Sequence, residues 1–423
     1  MKKFDKIVKF DKINNSCIHN DNKTYYEKKL TKLRENINEL FFNHHLSKSM
    51  IAKKKKVSRN FVIKWTKSLY QDFDEDNRGW QKGKRRKWTK ETEEKIKKIY
   101  HNLEKDPSQF YLGATAIEQE WRKKYSEAPP PLRTIGQILS DANLSKKIRR
   151  DRHQGAAKYL CYPEHTIFNL IAERVLELDF IGKKFIAGRA EPLNFISFSF
   201  KKEPKLRYFK RITGETGDEI IGYSKLFFEK FEKPDAAKMD NGFAMAGSPS
   251  YPRVISKVPL WHLSQEIIPI YAVPRKPFSQ ASIEGNNSVF ARNFWKKIEF
   301  KSLKEVDKKL EWFNKSSERY LDYRKPKKNK SDKKFIPKIY FTRQVMEDQE
   351  TKKGFIEVAR EKILLPKSYI NYFVLAEWKL KPETLHIYFE KEQKSKLVVK
   401  LIKKLSFKIN PKSKEKLKKL KII

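Results

Sequence analysis

The chain reads as a multidomain protein, with all-α domains at the N-terminus, a central α/β core and a region of short strands at the C-terminus. Three observations predict this. A length of 423 residues suggests two to four domains. Apolar spacing of the helical kind dominates to about Leu144, and strands alternating with helices follow from His165 to Tyr323. Short alternating strands separated by turns then fill 337–407. Hydrophobic residues make up 39%, with 8 Trp, 18 Tyr and 29 Phe, enough to build real cores.

Charge narrows the partners. Lys and Arg number 95 against 52 Asp and Glu, a formal charge of +43. Such an excess repels itself in a compact state unless a polyanion is the usual partner, so double-stranded DNA leads and an anionic membrane surface comes second. Cys17 and Cys161 are too few and too far apart for a disulfide framework or a Cys-rich zinc module. No apolar run approaches the ~18 residues of a membrane span, and the basic N-terminus lacks the apolar stretch of a signal peptide. A cytoplasmic, nucleoid-associated protein is expected.

Taken in order, residues 1–24 form a basic arm and 25–75 a helix-turn-helix domain of three short helices. Within Leu46–Leu69, Ser47 or Ser49 caps a helix carrying Ile51 and Ala52. Val57 closes the turn, and Ser58 caps a second helix. Val62, Trp65 and Leu69 then fall on one apolar stripe. Arg59, Asn60, Lys64 and Lys67 stand opposite, donors able to reach base edges and phosphates from a major groove. A small helical core with a solvated basic face is the plainer reading of the same pattern. Residues 76–87 are a basic linker containing Lys84, Arg85 and Arg86.

A second helical domain, of helix-turn-helix or winged type, is expected over 88–150. Ile96, Ile99, Tyr100 and Leu103 line one helix, and Ile117 and Trp121 mark another. After a run of prolines, Ile135, Ile138, Leu139 and Ala142 form a third stripe, from which Arg133, Thr134 and Gln137 project away. Two readers in tandem suit a bipartite DNA site. Linkers follow at 151–164 and 324–336, and 408–423 reads as a basic tail.

Three acids in the central region, 165–323, stand in unusual settings. Asp179 lies inside the apolar run RVLELDFIG, which reads as a buried strand. Asp240 ends a short extended piece and enters the turn KMDNG, while Glu284 opens the helical run SIEGNNSVFARNFWKK. Buried carboxylates are costly unless something positive neutralises them. Two acids at neighbouring strand ends and one on a helix converge well on a pair of Mg²⁺ or Mn²⁺ ions, which activate an attacking oxygen and stabilise a leaving one. Singly, each has an ordinary structural reading: Asp-Asn-Gly is a common turn, and an acid near a helix start complements the helix dipole.

Strand-Asp, strand-Asp-Asn-Gly, helix-Glu resembles the pattern of transposases and integrases with a retroviral-integrase-type, RNase H-like catalytic core, bacterial insertion-sequence transposases above all. The resemblance rests on ELD (Glu177–Asp179), MDNG (Met239–Gly242) and ASIEGNNSVFARNFW (Ala281–Trp295). It implies Asp179, Asp240 and Glu284 as catalytic residues and metal ligands, with strand cleavage and strand transfer on element ends and target DNA. It also implies an RNase H-like fold for the core, a small β-barrel over 337–407 and a homo-oligomer assembled on DNA, and leaves room for a helper ATPase. Asn287 matches a position where such proteins often carry Asn. Between Asp240 and Glu284 lie 43 residues, more than the ~35 usual in the wider family, so an extra loop is expected there. Basic residues often found after the Glu are Ser288 and Ala291 here, which leaves Arg292 and Lys296 as replacements. His44 and His45 lack paired cysteines, so no zinc domain is expected. A catalytically idle, domesticated DNA binder and a plain nuclease of the same fold are the alternative functions.

Overall fold

The computed structural model describes residues 20–69, 73, 88–145, 163, 166–247, 251–326, 335–393 and 396–423. Most of the basic arm, Lys84, Arg85 and Arg86, most of the connector at 151–164, and both cysteines lie outside these. The chain divides into two compact units, Met1–Thr89 and Lys90–Ile423. Among the described residues no helix is long and apolar enough to cross a membrane.

The first unit holds α1 (Asn20–Phe42), α2 (Lys48–Lys55) and α3 (Arg59–Trp65). Its caps form where the serines predict them. Ser47 Oγ accepts the Met50 N–H (3.3 Å), and Ser58 Oγ accepts that of Phe61 (3.2 Å). Lys56, with φ of 53°, turns the chain between the two helices. Ile37, Ile51, Val62 and Trp65 form the core. One expectation fails: α3 stops at Trp65, and Leu69 lies past its end, 39% exposed. The Asn38 amide explains the stop, because it donates to the carbonyls of Trp65 (2.9 Å) and Ser68 (2.7 Å) from α1. His44 and His45 follow the end of α1.

In the second unit, α4 (Lys90–Lys105), α5 (Ala114–Lys124) and α6 (Leu132–Asp141) carry the expected stripes. They are not a separate domain. Ile99, Trp121 and Leu139 share one core with Phe195, Phe290 and Phe313 of the central region. The loop after α4 supplies the bond: Phe110 meets Phe313 edge-on with ring centres 5.1 Å apart, and Tyr111 Oη lies 2.7 Å from Ser317 Oγ. Helical spacing reveals a buried face but not which partner covers it.

Strands β1 (Val175–Lys184), β2 (Leu193–Phe200) and β3 (Leu206–Ile212) form an antiparallel meander. α7 (Gly217–Lys230) leads to β4 (Ala236–Met239), parallel to β1. The short α8 (Phe243–Ala246) and α9 (Lys257–Ser264) lead to β5 (Ile268–Tyr271), parallel to β4. α10 (Ala281–Phe290) and α11 (Leu303–Tyr320) pack back over the meander through Phe195, Phe209, Phe290 and Phe313. The interval between Asp240 and Glu284 thus holds a helix and a strand as expected, lengthened by α8 and the loop leading to α9.

β6 (Lys338–Gln344) follows, then β7 (Met346–Glu347), β8 (Gly354–Val358), β9 (Glu361–Leu365), β10 (Phe373–Lys379), β11 (Thr384–Gln393), β12 (Lys396–Ser406) and α12 (Pro411–Lys419). The free-standing C-terminal barrel expected over 337–407 is not what the pairing gives. Among the described residues one nine-stranded sheet runs β12-β11-β10-β6-β5-β4-β1-β2-β3, and β7-β8-β9 form a second sheet. The junction is β5 with β6, where Tyr271 pairs with Phe341 and their rings stack at 5.1 Å. One apolar cluster continues across it, from Leu176 and Met239 to Trp378, Ile387 and Ile356. The tail expected over 408–423 is also docked: Leu417 is fully buried, and Ser413 Oγ accepts the Ile255 N–H at 2.9 Å.

Phe110→Ala should therefore lower the stability of the α/β unit itself, by about 3–5 kcal/mol. Denaturant unfolding followed by near-UV circular dichroism would show the shift; melting of α4–α6 alone, with the rest unmoved, would contradict the shared core.

Candidate active site

β1 is buried on both faces from Val175 to Leu178, so a charge there needs an internal partner. Glu177 has one. Its register mate on β4 is Lys238, with Nζ 3.4 Å from Oε1 and both side chains 2% exposed. Lys238 Nζ also donates to the Ser279 carbonyl, in the 3₁₀ turn Pro277–Gln280. Glu177 Oε2 accepts the Ile283 N–H (3.1 Å) in the first turn of α10. A single ion pair thereby joins β1, β4 and the start of α10. Sequence reading passed over both residues, although each stands two places before a candidate acid inside a buried run, where a charge calls for a partner.

Strand alternation puts Asp179 on the face of Glu177. The β1–β4 pairing ends at Glu177 with Lys238, and Asp179 and Asp240 each follow two residues later, Asp240 just past the end of β4. Both are half-buried. β4 ends at Met239, and in the turn beyond it the Gly242 N–H donates to Asp240 Oδ1 (2.9 Å). A Cβ at position 242 would sit 3.1 and 3.2 Å from the two carboxylate oxygens, so glycine leaves the Asp240 carboxylate its room. Asn241 braces the turn by donating to the Ala272 carbonyl (2.8 Å) and accepting from Arg343 (2.9 Å). Arg343, on β6, was not anticipated. Burial pulls its pKa down to about 10, and it donates as well to the carbonyls of Ala272, Thr342 and Glu357.

Glu284 lies in the first turn of α10, three residues before Asn287 and on the same helix face. Asn287 Nδ2 donates to Asp179 Oδ2 (3.0 Å), so the helix face carrying Glu284 is the one that meets Asp179. Glu284 itself is exposed, at the rim of the cluster. The electrostatics agree with this grouping. Burial first, then the Asp240 charge, and to a lesser degree Glu284, pushes Asp179 up to about 7 against hydrogen bonds from the Phe180 backbone and Asn287. Burial also raises Asp240 and Glu284. No ion pair among the described residues includes any of the three.

The donor set suits a hard divalent cation. Three carboxylates are available, and Asn287 Oδ1 is a buried acceptor with no hydrogen-bond partner. All are oxygen ligands, the kind that Mg²⁺ and Mn²⁺ prefer. Among the described residues no three acidic, His or Cys side chains are already drawn together tightly enough to hold an ion unaided. The end of β1 and the turn after β4 supply Asp179 and Asp240, whereas Glu284 approaches from the rim.

An open groove of about 780 Å³ runs beside Glu284 over β2, β3 and α10. Lys205, Arg207 and Arg292 line it, and Gly285 and Ser288 keep the helix side shallow. Arg207 Nε donates to Asn286 Oδ1 (2.7 Å). Beyond Phe290 the helix widens into a π-helical stretch, Ala291–Trp295, which rotates the following residues. Arg292 remains on the groove; Lys296 follows the stretch, exposed and outside the groove lining.

The expected DNA readers lie on other elements. Arg59 and Asn60 are exposed at the start of α3, while Lys64 is half-buried with Nζ 4.8 Å over the Trp65 ring. Lys67 is exposed but lies beyond the end of α3. On α6, Arg133 and Gln137 are exposed and Thr134 is half-buried, with the Gln137 amide bonded to Asp141 (2.6 Å).

Two outcomes follow. Lys238→Met strands a buried carboxylate and should cost about 3–5 kcal/mol in denaturant unfolding, with Glu177→Gln added to it restoring part of the loss. Asp179 holds its proton to about pH 7 in the fold but only to its ordinary 3.8 when unfolded. The stability this contributes is complete below the unfolded value and is lost as pH rises toward 7. In EDTA, Asp179→Asn should therefore gain on the parent by a few kcal/mol across that interval, at roughly 1.4 kcal/mol per pH unit; parallel stability curves would exclude the shift.

No family model and no curated protein matches the chain. A solved structure similar in part is described as the cryo-EM structure of a simian T-cell lymphotropic virus intasome in complex with PP2A regulatory subunit B56 gamma. The match covers 71% of this chain and 96% of that one at 9% identity and a TM-score of 0.31, a likeness too weak to carry any argument about fold or function.

Proposed function

We propose that the chain is a DNA transposase that binds element ends and carries out metal-dependent strand cleavage and strand transfer. One observation carries the reading: Asp179 and Asp240 each follow two residues after the paired Glu177 and Lys238, close enough for the Asp240 charge to raise Asp179, and the α10 face bearing Glu284 reaches Asp179 through Asn287. Three antiparallel strands followed by two parallel ones, with α10 laid over β1 and β2, fit the RNase H-like core that the sequence motifs suggest. Asp179, Asp240 and Glu284 would hold two Mg²⁺ or Mn²⁺ ions, which when bound supply activation of the attacking oxygen and neutralisation of the leaving one.

The chain's own residues supply position. Lys205, Arg207 and Arg292 offer phosphate contacts along the groove, and the shallow helix side at Gly285 and Ser288 lets a backbone pass close to Glu284. The Glu177–Lys238 pair keeps the two strand ends level under the reacting phosphate. Arg59 and Asn60, at the exposed start of α3, suit major-groove readout, and Arg133 and Gln137 on α6 offer a second contact. Cleavage and joining at one site need the same in-line geometry twice, so a multimer assembled on two DNA ends is part of the reading, as is access to a helper ATPase.

The test begins with whether inverted-repeat DNA flanks the coding region, and incubates such ends, as pre-cut duplexes, with plasmid and Mg²⁺ or Mn²⁺. Joined products are expected with the parent chain, and Asp240→Asn should reduce them to the level seen without protein. Joining that survives this substitution would remove the carboxylate mechanism. Specific end binding with no joining by the parent would favour a catalytically idle DNA binder.

A further inference from the structure

The nine-stranded sheet ends differently on its two sides. At one end, Asn314 of α11 closes off β3: its Oδ1 accepts the Phe209 N–H (2.9 Å) and its Nδ2 donates to the Phe209 carbonyl (2.8 Å). At the other end stands β12, with 11 residues the longest strand among those described. Its inner side pairs with β11 from Lys396 to Ser406, with one bulge at Ile402. Its outer row of N–H and C=O groups meets no strand, helix or side chain among the described residues. An unpaired row of this length is a template for one more strand.

The side chains along that edge say what the added strand must carry. β12 reads KLVVKLIKKLS and holds no acid. Val398 and Lys400 stand level with Lys391 and Phe389 on one face, Leu401 and Lys404 with Tyr388 and His386 on the other. Val398 is 42% exposed and Leu401 45%, and both lysines are exposed with no ion pair among the described residues. Lys403, by contrast, serves the fold by donating to the Leu364 carbonyl (2.7 Å). Each face of the edge thus offers an apolar side chain and a cation without a partner. A second copy of β12 would answer those lysines with more lysines, which is how edge strands keep copies apart. A DNA backbone would meet the cations but leave the carbonyl row and both apolar side chains unused. An extended acidic peptide answers all three, with main-chain hydrogen bonds along the row, apolar contacts at Val398 and Leu401, and carboxylates beside Lys400 and Lys404.

We propose that β12 is a docking edge for an acidic, extended segment of a partner protein, which joins the sheet as a further strand. The backbone row supplies affinity, and the lysines select against basic segments and against copies of the chain itself. The site lies on the C-terminal strands and goes beyond the transposase reading, since it does not depend on the three carboxylates.

The probe is a fluorescein-labelled peptide of repeating Val-Val-Glu-Glu, a pattern that puts both residue types on each face of a strand. Its anisotropy is followed with the full chain at physiological salt. A Val-Val-Lys-Lys peptide and a Val-Val-Glu-Glu peptide N-methylated at its central residues, which removes the main-chain donors but keeps the charges, are titrated beside it. The parent chain should bind the first peptide about tenfold more tightly than either of the others. Lys400→Glu combined with Lys404→Glu should weaken the acidic peptide about tenfold and leave the N-methylated one unmoved. Equal binding of the N-methylated peptide, or acidic-peptide binding that survives the double reversal, would overturn the proposal and leave the chain's overall positive charge as the cause. No peptide binding by the parent, with duplex affinity lowered by the double reversal, would also overturn it and give these lysines to a phosphate backbone.

Discussion

The buried ion pair between Glu177 and Lys238 is the constraint on which the candidate site depends. Two charges in a strand core covered on both faces are tolerable only because each has several partners. Glu177 meets Lys238 and the Ile283 N–H, and Lys238 meets Glu177 and the Ser279 carbonyl. Those partners belong to two strands, a turn and a helix start, so the pair works as a joint. Asp179 and Asp240 stand two places farther along the chain from these partners, so the joint anchors the segment that carries each.

A contrast in charge separates the joint from the site. Below, one carboxylate is matched by one ammonium and is electrically closed. Above, two half-buried carboxylates face each other with a third at the rim, hydrogen-bonded to an amide and a backbone N–H and to no cation among the described residues. Asp179 responds by holding its proton to about pH 7. A site arranged this way favours arriving positive charge. The same arrangement costs stability without it, as functional sites commonly do.

The C-terminal strands contribute more than bulk. Through β6 they supply Arg343, which reaches across to Asn241 and steadies the Asp240 turn. The helices α4–α6 play a comparable part on the other side, packing on the same aromatic cluster that seats α10 against β2 and β3. Segments that look modular along the chain thus converge on the supports of one acidic cluster.

The residues themselves carried much of this. Ser47 and Ser58 announce helix starts and apolar stripes mark α4–α6, because caps and stripes are local physics read within a few residues, whereas ELD, MDNG and IEGNN single out the three acids only by resemblance to a known family. Long-range partnership was hidden. Nothing local to Glu177 says that Lys238, sixty-one residues away, will neutralise it. Nor does anything near Leu69 reveal that Asn38 ends the helix before it, or anything near Ile339 that β6 will join β5 instead of closing a separate barrel. Periodicity tells a chain which face to bury; only the packed fold decides against what, and the charge balance of the site follows from that choice.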